Sequence, residues 1–343
     1  MIFRQLFDAT SGTYTYLLAS RRGGEALIVD PVLEKVDRYL QLIQELDLKL
    51  VKAVDTHLHA DHITGLGALR DRTHCITVMG EQSQVDVVSM RIAEGDRLTI
   101  EGIALDVIYT PGHTDDSYCF RMDDRVFTGD TLMIRGTGRT DFQNGSARAQ
   151  YDSIFNRLLT LPDETMVFPG HDYKGDTVST IGEEKRYNPR LQVDGVDAYV
   201  ALMNGLNLSN PKMMDVAVPA NMHQGLHQEE VARRGWAVTA EAARGLIGSP
   251  GVALIDLRER AERTRHGSIP SALHAPYPDL LENIQPGGIL HELAASKRLL
   301  FYCAFGERSA MAVQAAQDAG ISTACHIHGG IAAWKKAEGP ISA

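Results

Sequence analysis

The sequence predicts an α/β protein of two domains, and three observations carry that expectation. At 343 residues the chain exceeds the size at which a single hydrophobic core usually divides. The first two hundred residues alternate short strand-like runs with a few helical ones. From Trp236 onward the apolar runs are short and unbroken, as in parallel strands buried on both faces. Between these regions, residues 205–228 are rich in Asn, Pro, Met and Gly and lack periodicity, which places the boundary there. The expected division is a first domain over 1–225, a linker over 226–235 and a second domain over 236–343.

Taken in order, residues 14–18 and 26–29 read as strands joined by a turn at Gly23-Gly24. Residues 34–46 carry Val36, Tyr39, Leu40, Ile43 and Leu46 at helical spacing, and residues 50–54 form an apolar strand-like run. Further strands are expected at 75–79, 103–109, 118–122, 125–128 and 165–168, with helices at 64–71 and 149–159. In the second region, 252–255 and 299–302 read as buried strands, and 309–319 as an Ala-rich helix. Taken alone, the alternating charges of residues 256–265 read as a solvated face.

A hydrophobic fraction of 44% with ordinary charge content describes a globular chain, and no apolar run approaches a membrane span. The net charge of −10 argues against nucleic acid or an anionic membrane as partner, since both need basic surface. The first eight residues lack the apolar region of a signal peptide, so the expected location is cytoplasmic. Homo-oligomer formation is left open. Four cysteines are too few for a disulfide scaffold, and Cys75, Cys119 and Cys325 read as buried core thiols.

The densest chemistry is Thr56-His57-Leu58-His59-Ala60-Asp61-His62, directly after the 50–54 run. Four potential metal ligands within six positions can reach one ion or divide between two. Three more candidates follow strands: His113 after 103–109, Asp130 after 125–127 and His171 after 165–168. Each is preceded by Gly, which lets the chain turn sharply at a strand end. If those strands share a sheet, the three side chains emerge at the same edge as His57.

This pattern resembles the metallo-β-lactamase superfamily, which implies a four-layered αββα sandwich with metal at one edge. In its dinuclear hydrolases of the glyoxalase II type, the resemblance implies one zinc on His57, His59 and His113. A second would sit on Asp61, His62 and His171, with Asp130 bridging. The flanking residues resemble another branch, the persulfide dioxygenases. They are Asp130-Thr131-Leu132-Met133-Ile134-Arg135-Gly136-Thr137-Gly138-Arg139-Thr140-Asp141-Phe142-Gln143, His171-Asp172-Tyr173, Asn188-Pro189-Arg190-Leu191 and Ala217-Val218-Pro219-Ala220-Asn221-Met222. That likeness implies one Fe(II) per chain on His57, His113 and Asp130, with His59, Asp61, His62 and His171 in support. A two-His, one-carboxylate set leaves positions open for substrate and O₂, and zinc has no redox chemistry to offer. Arg139 and Tyr173 are the candidates for binding glutathione.

Cys303-Ala304-Phe305-Gly306-Glu307-Arg308 lies between a strand and a helix, where free N–H groups and the helix dipole favour a thiolate. Arg308 adds a positive charge, and Cys303 and Arg308 are the catalytic candidates. The loop resembles the active loop of rhodaneses, as do Leu254-Ile255-Asp256-Leu257-Arg258-Glu259, His266-Gly267-Ser268-Ile269-Pro270-Ser271-Ala272 and Gly329-Gly330-Ile331-Ala332-Ala333-Trp334. The resemblance implies an α/β domain with a parallel sheet that carries sulfane sulfur as a persulfide on the cysteine. Ala304 and Phe305 stand where thiosulfate-using rhodaneses often place basic residues, which leaves the sulfur donor open. Together the two halves imply an enzyme that oxidises glutathione persulfide with O₂ to sulfite and glutathione, and moves sulfur between thiosulfate and glutathione. The alternatives are a dinuclear zinc thioesterase, or a second domain that only binds persulfide.

Overall fold

The computed structural model describes residues 1–209, 211, 213–224 and 228–342. Residues 225–227, at the expected junction, and residue 343, the expected end of the second domain, lie outside the described residues. The chain forms two compact units. One comprises Met1–Arg70, Thr77–Asp86 and Arg91–Gln224; the other comprises Gly225–Ala343 with the short segments Asp71–Ile76 and Val87–Met90.

The first unit holds two six-stranded sheets. In the first, β1 (Ile2–Asp8), β2 (Thr13–Ala19), β3 (Glu25–Val29), β4 (Lys49–Val54), β5 (Ile76–Gly80) and β6 (Met90–Ile92) lie in chain order. The second runs β12 (Ser179–Thr180), β11 (Met166–Pro169), β10 (Arg125–Gly129), β9 (Tyr118–Arg121), β8 (Ile103–Tyr109), β7 (Arg97–Ile100). Strand β1, which carries no clear alternation, is found only in the structure, where it pairs antiparallel with β2 over its whole length. The Gly23-Gly24 turn joins β2 to β3 as expected.

Alternation in β10 shows how the layers are glued. Val126 points to a helix-side cluster with Ile154 of α3 (Ala147–Phe155) and Tyr199 of α5 (Val196–Asn204). Its neighbour Phe127 points to the first sheet, where Tyr16 lies 5.0 Å away between ring centroids and Phe3 lies 5.0 Å from Phe168. Burying such rings stabilises the fold by about 1.5–3 kcal/mol each.

Strand direction delivers the site. Strands β8 and β10 are both antiparallel to β9, and β11 is parallel to β10. Their C-terminal ends therefore share one edge, where His113, Asp130 and His171 follow. The histidine loop comes instead from β4, in the other sheet. The expected single edge is thus assembled from both sheets.

The aperiodic 205–228 stretch is not featureless. It contains α6 (Met214–Met222), with Pro219 inside the helix and Ala217 and Asn221 buried. Proline there and the absence of an amphipathic stripe hide the helix from periodicity. The buried Asn221 amide donates to the carbonyls of His59 (3.0 Å) and His62 (2.9 Å) and accepts from Thr64 N–H (2.9 Å).

The second unit is a five-stranded sheet, β13 (Ala237–Val238), β17 (Cys325–Ile327), β16 (Arg298–Tyr302), β14 (Val252–Asp256) and β15 (Leu273–His274), every pair parallel. Both faces are buried. Ala253, Ile255, Leu299 and Phe301 enter one core with α12 (Glu307–Asp318), and Leu254, Leu300 and Tyr302 enter another with Trp334. That is why 252–255 and 299–302 read as unbroken apolar runs. Two expectations change. The 226–235 stretch contains a short helix, α7 (Gln228–Arg233). The charges of 256–265 are not simply a solvated face, because Asp256 and Arg258 are fully buried and paired at 2.7 Å. Among the described residues, no helix is long and apolar enough to cross a membrane.

The Asn221 clamp makes a prediction. Asn221→Ala leaves two buried carbonyls and one N–H without this partner, a loss of about 2–3 kcal/mol. Thermal unfolding followed by circular dichroism then shows the first transition lowered by roughly 5–10 °C.

Candidate metal centre and thiol loop

Asp30, just after β3, anchors the histidine loop. Its carboxylate accepts Thr56 N–H (2.7 Å) and the Thr56 hydroxyl (3.0 Å), and it faces His59 Nε2 at 3.2 Å. Because that hydroxyl donates to Asp30, it accepts from His57 Nδ1 at 2.9 Å, which leaves Nε2 of His57 as the bare ring nitrogen. Gly129, at φ +48°, keeps this corner open, since a Cβ there would lie 2.6 Å from Thr56 Oγ1.

His113 is oriented the same way. Its Nδ1 donates to the Arg139 carbonyl at 2.7 Å, and its Nε2 lies 3.7 Å from Asp130 Oδ2. Gly138 is required beside it, because a Cβ would meet the His113 ring at 2.7 Å and the Asp130 carbonyl at 2.4 Å. One ligand atom from each of His57, His113 and Asp130 lies within 4.8 Å of the others, and all three residues are largely buried. Two donors about 2.1 Å from a common ion stand at most about 4.2 Å apart, so small adjustments close the set on one metal. Two imidazoles with capped Nδ1 atoms and one carboxylate fit a metal site that leaves coordination positions open.

The other four candidates, three from the histidine loop and His171 from just beyond β11, form a second group: His59, Asp61, His62 and His171. His171 stands between two carboxylates, with Nε2 2.7 Å from Asp61 Oδ2 and Nδ1 2.7 Å from Asp130 Oδ1. Asp130 is therefore divided, one oxygen toward His171 and the other toward His113. Burial would raise the Asp130 carboxyl, but His171, His113 and His57 outweigh it and hold it far below the usual range. Burial would likewise lower His171, and the carboxylates of Asp130 and Asp61 instead lift it well above its ordinary value. His57 is pushed well below, by burial and by its neighbours His59 and His113, which keeps it neutral as a ligand must be. His59, lifted against burial by Asp30, reaches about 9. Nδ1 of His59 and Nε2 of His62 are buried without a hydrogen-bond partner among the described residues.

His113, Asp130 and Asp61 open on a cleft of about 850 Å³. Both expected glutathione contacts line it, in different ways. The Arg139 side chain is committed to Asp141, with two bonds of 2.6 Å, and to the Ser209 carbonyl at 2.7 Å. Its contribution to the centre is the main-chain oxygen that orients His113. Tyr173 is 70% exposed, and its ring stacks on His171 at 6.1 Å with an interplanar angle of 8°. Lys174 and the half-buried Arg190 also line the cleft, and sequence reasoning did not single them out. Asp30 and Asn221 were missed as well. A signal existed for Asp30, which follows an apolar strand as the ligands do.

In the second unit, Cys303 directly follows β16 and is buried. Gly306, at φ +97°, turns the chain into α12, and its N–H donates to Cys303 Sγ at 3.1 Å. The carbonyls of Cys303 and Ala304 accept the N–H groups of Ile331 (2.9 Å) and Ala332 (3.0 Å). Arg308 is fully buried and paired bidentately with Glu262, at 2.8 and 2.6 Å. Burial would raise the Glu262 carboxyl, but Arg308 overrides it and lowers it. Arg308 thus acts from inside the protein, with its charge balanced by Glu262. Cys75, Cys119 and Cys325 are buried free thiols, as expected.

Comparison with known proteins agrees with both halves. Residues 9–87 and 79–171 match the metallo-beta-lactamase superfamily, and residues 239–337 match the rhodanese-like domain. The chain is 46% identical over 229 residues to the mitochondrial persulfide dioxygenase ETHE1 of Mus musculus, covering 66% of this chain and 89% of that protein. The Homo sapiens protein is 45% identical over the same share of each chain. The crystal structure of ETHE1 from Myxococcus xanthus is 52% identical, with a TM-score of 0.63 over 65% of this chain and 98% of that one. A metallo-beta-lactamase from Staphylococcus aureus shares the fold over 96% of this chain and 98% of its own, with a TM-score of 0.62 at 21% identity. The chain therefore belongs to the ETHE1 persulfide dioxygenase family within the metallo-β-lactamase superfamily, and carries a rhodanese-like domain C-terminal to it.

Proposed function

We propose that domain 1–225 oxidises glutathione persulfide at a single Fe(II) held by His57, His113 and Asp130. Glutathione persulfide, O₂ and water give glutathione, sulfite and two protons. The observation that carries this reading is the pair of capped imidazoles, with Thr56 and the Arg139 carbonyl holding Nδ1 of His57 and of His113. Iron bound there supplies the redox chemistry that lets O₂ react with a sulfane sulfur and leaves positions open for both. The protein's own residues do the rest. His171 holds one Asp130 oxygen and so fixes the other toward the histidines. Asp61 holds His171 in turn. Lys174 and Arg190 give the cleft positive charge suited to the two carboxylates of glutathione.

For the second domain, over 236–343, we propose sulfur transfer through Cys303. The thiolate takes the outer sulfur of thiosulfate and releases sulfite; the Cys303 persulfide then passes that sulfur to glutathione, which leaves as glutathione persulfide while the thiol is restored. The Gly306 N–H is placed to stabilise both the thiolate and the persulfide anion. Buried free thiols fit a reducing compartment, and we place the protein in the cytoplasm.

A second reading has one observation in its favour. The unpartnered nitrogens of His59 and His62, beside Asp61 and His171, suit a second ion, as in a dinuclear zinc thioesterase. Oxygen uptake separates the two, because a hydrolase consumes none.

Two outcomes test the proposal. With glutathione persulfide in an oxygen-electrode assay, Asp130→Ala lowers O₂ uptake by about a thousandfold or more, an effect of the size seen for lost catalytic groups. Cys303→Ser abolishes thiosulfate-dependent transfer and leaves O₂ uptake with glutathione persulfide unchanged; an equal loss of both contradicts the division of labour.

A further inference from the structure

The thiol loop depends on one peptide unit, between Phe305 and Gly306. Its N–H is the donor to Cys303 Sγ at 3.1 Å. In a trans peptide the carbonyl points the opposite way, so whatever holds the Phe305 carbonyl also aims the Gly306 N–H. That carbonyl accepts a hydrogen bond of 2.9 Å from the Gln228 side-chain amide. The other end of the same amide accepts from Gly329 N–H at 2.7 Å, which fixes the amide's orientation.

Such a clamp is needed because of Gly306. A peptide followed by glycine can flip at little steric cost, and a flip here would turn the carbonyl oxygen toward the sulfur and the N–H away. The carbonyls of Cys303 and Ala304 are held by backbone N–H groups of Ile331 and Ala332, whereas that of Phe305 is held by the Gln228 side chain. Contact there is close, since a Cβ on Gly306 would lie 2.0 Å from Gln228 Oε1. Gln228 itself is firmly placed. It opens α7, which buries Val231 completely, and the following Arg234 donates to Gln314 on α12 at 2.7 Å. This helix lies ahead of residues 239–337, which match the rhodanese-like domain.

We infer that Gln228 is a positioning residue for the Cys303 loop, holding the Phe305–Gly306 peptide so that its N–H stabilises the sulfur anion. The inference rests on the sulfur-transfer reading for its purpose, but its test does not. Gln228→Met keeps the side chain's length and removes both hydrogen bonds. Gln228→Glu keeps an acceptor for Gly329 and sets a carboxylate against the Phe305 carbonyl.

The readout is the Cys303 thiol titration in the full-length protein, followed by ultraviolet thiolate absorbance as the difference from the matching Cys303→Ser protein. Among the described residues, Arg308, which interacts electrostatically with Cys303, its partner Glu262, and Glu307 are charged groups at the loop, and both variants retain them. Both substitutions are expected to raise the titration midpoint by about one pH unit, a tenfold loss of thiolate below it. The turnover number with thiosulfate and cyanide, at a pH below the midpoint, falls by about the same factor, with little change in KM. Unchanged midpoints in both variants overturn the inference. So does a shift accompanied by loss of the second unit's thermal transition, which reports unfolding. A shift without any wild-type sulfur transfer supports the clamp and overturns the sulfur-transfer reading.

Discussion

The first unit is organised around one buried carboxylate. Asp130 must stay ionised away from water, which is costly unless every neighbour compensates. His171 takes one of its oxygens at 2.7 Å, and Nε2 of His113 faces the other at 3.7 Å. Each of those rings is held in turn, His171 by Asp61 and His113 by the Arg139 carbonyl. The two sheets, the glycines at the strand ends and the Asn221 clamp are ways of bringing these groups to one edge without strain or a stranded charge. Structure and proposed chemistry meet here, because the arrangement that keeps a buried carboxylate ionised also suits it to hold a metal.

Much of this was legible in the sequence because the signal is local. Strand, glycine and ligand follow one another at His113, Asp130 and His171, and the histidine loop follows β4 directly. What could not be read was which ligand atom faces which neighbour. The pairing of His171 with Asp61 spans 110 positions, and that of Asn221 with His59 spans 162. Arg139 shows the same limit. Its residue type suggested a carboxylate-binding side chain, yet the side chain is spent on Asp141, and the backbone oxygen does the orienting. A sequence names side chains more readily than it names main-chain roles.

The second unit places its proposed reactive sulfur by other means. Its strands were plain as apolar runs, because a parallel sheet buries both faces. Its electrostatics were not. Asp256 and Arg258 look in sequence like surface charge and Arg308 like a charge of the loop, but all three are buried and paired. With Arg308 balanced by Glu262, the loop offers the sulfur an oriented backbone N–H, that of Gly306, more than net positive charge. That suits a persulfide, whose charge is single and diffuse, and it explains how the loop does without basic residues at Ala304 and Phe305.

The central claim is that the seven candidate ligands divide into three that bind one iron and four that support them. Metal content of the purified full-length protein, measured by inductively coupled plasma mass spectrometry, tests this most directly. About one iron per chain and little zinc are expected, with the iron lost in His57→Ala. Two zinc ions per chain, bound in part by His59 and His62, would contradict it.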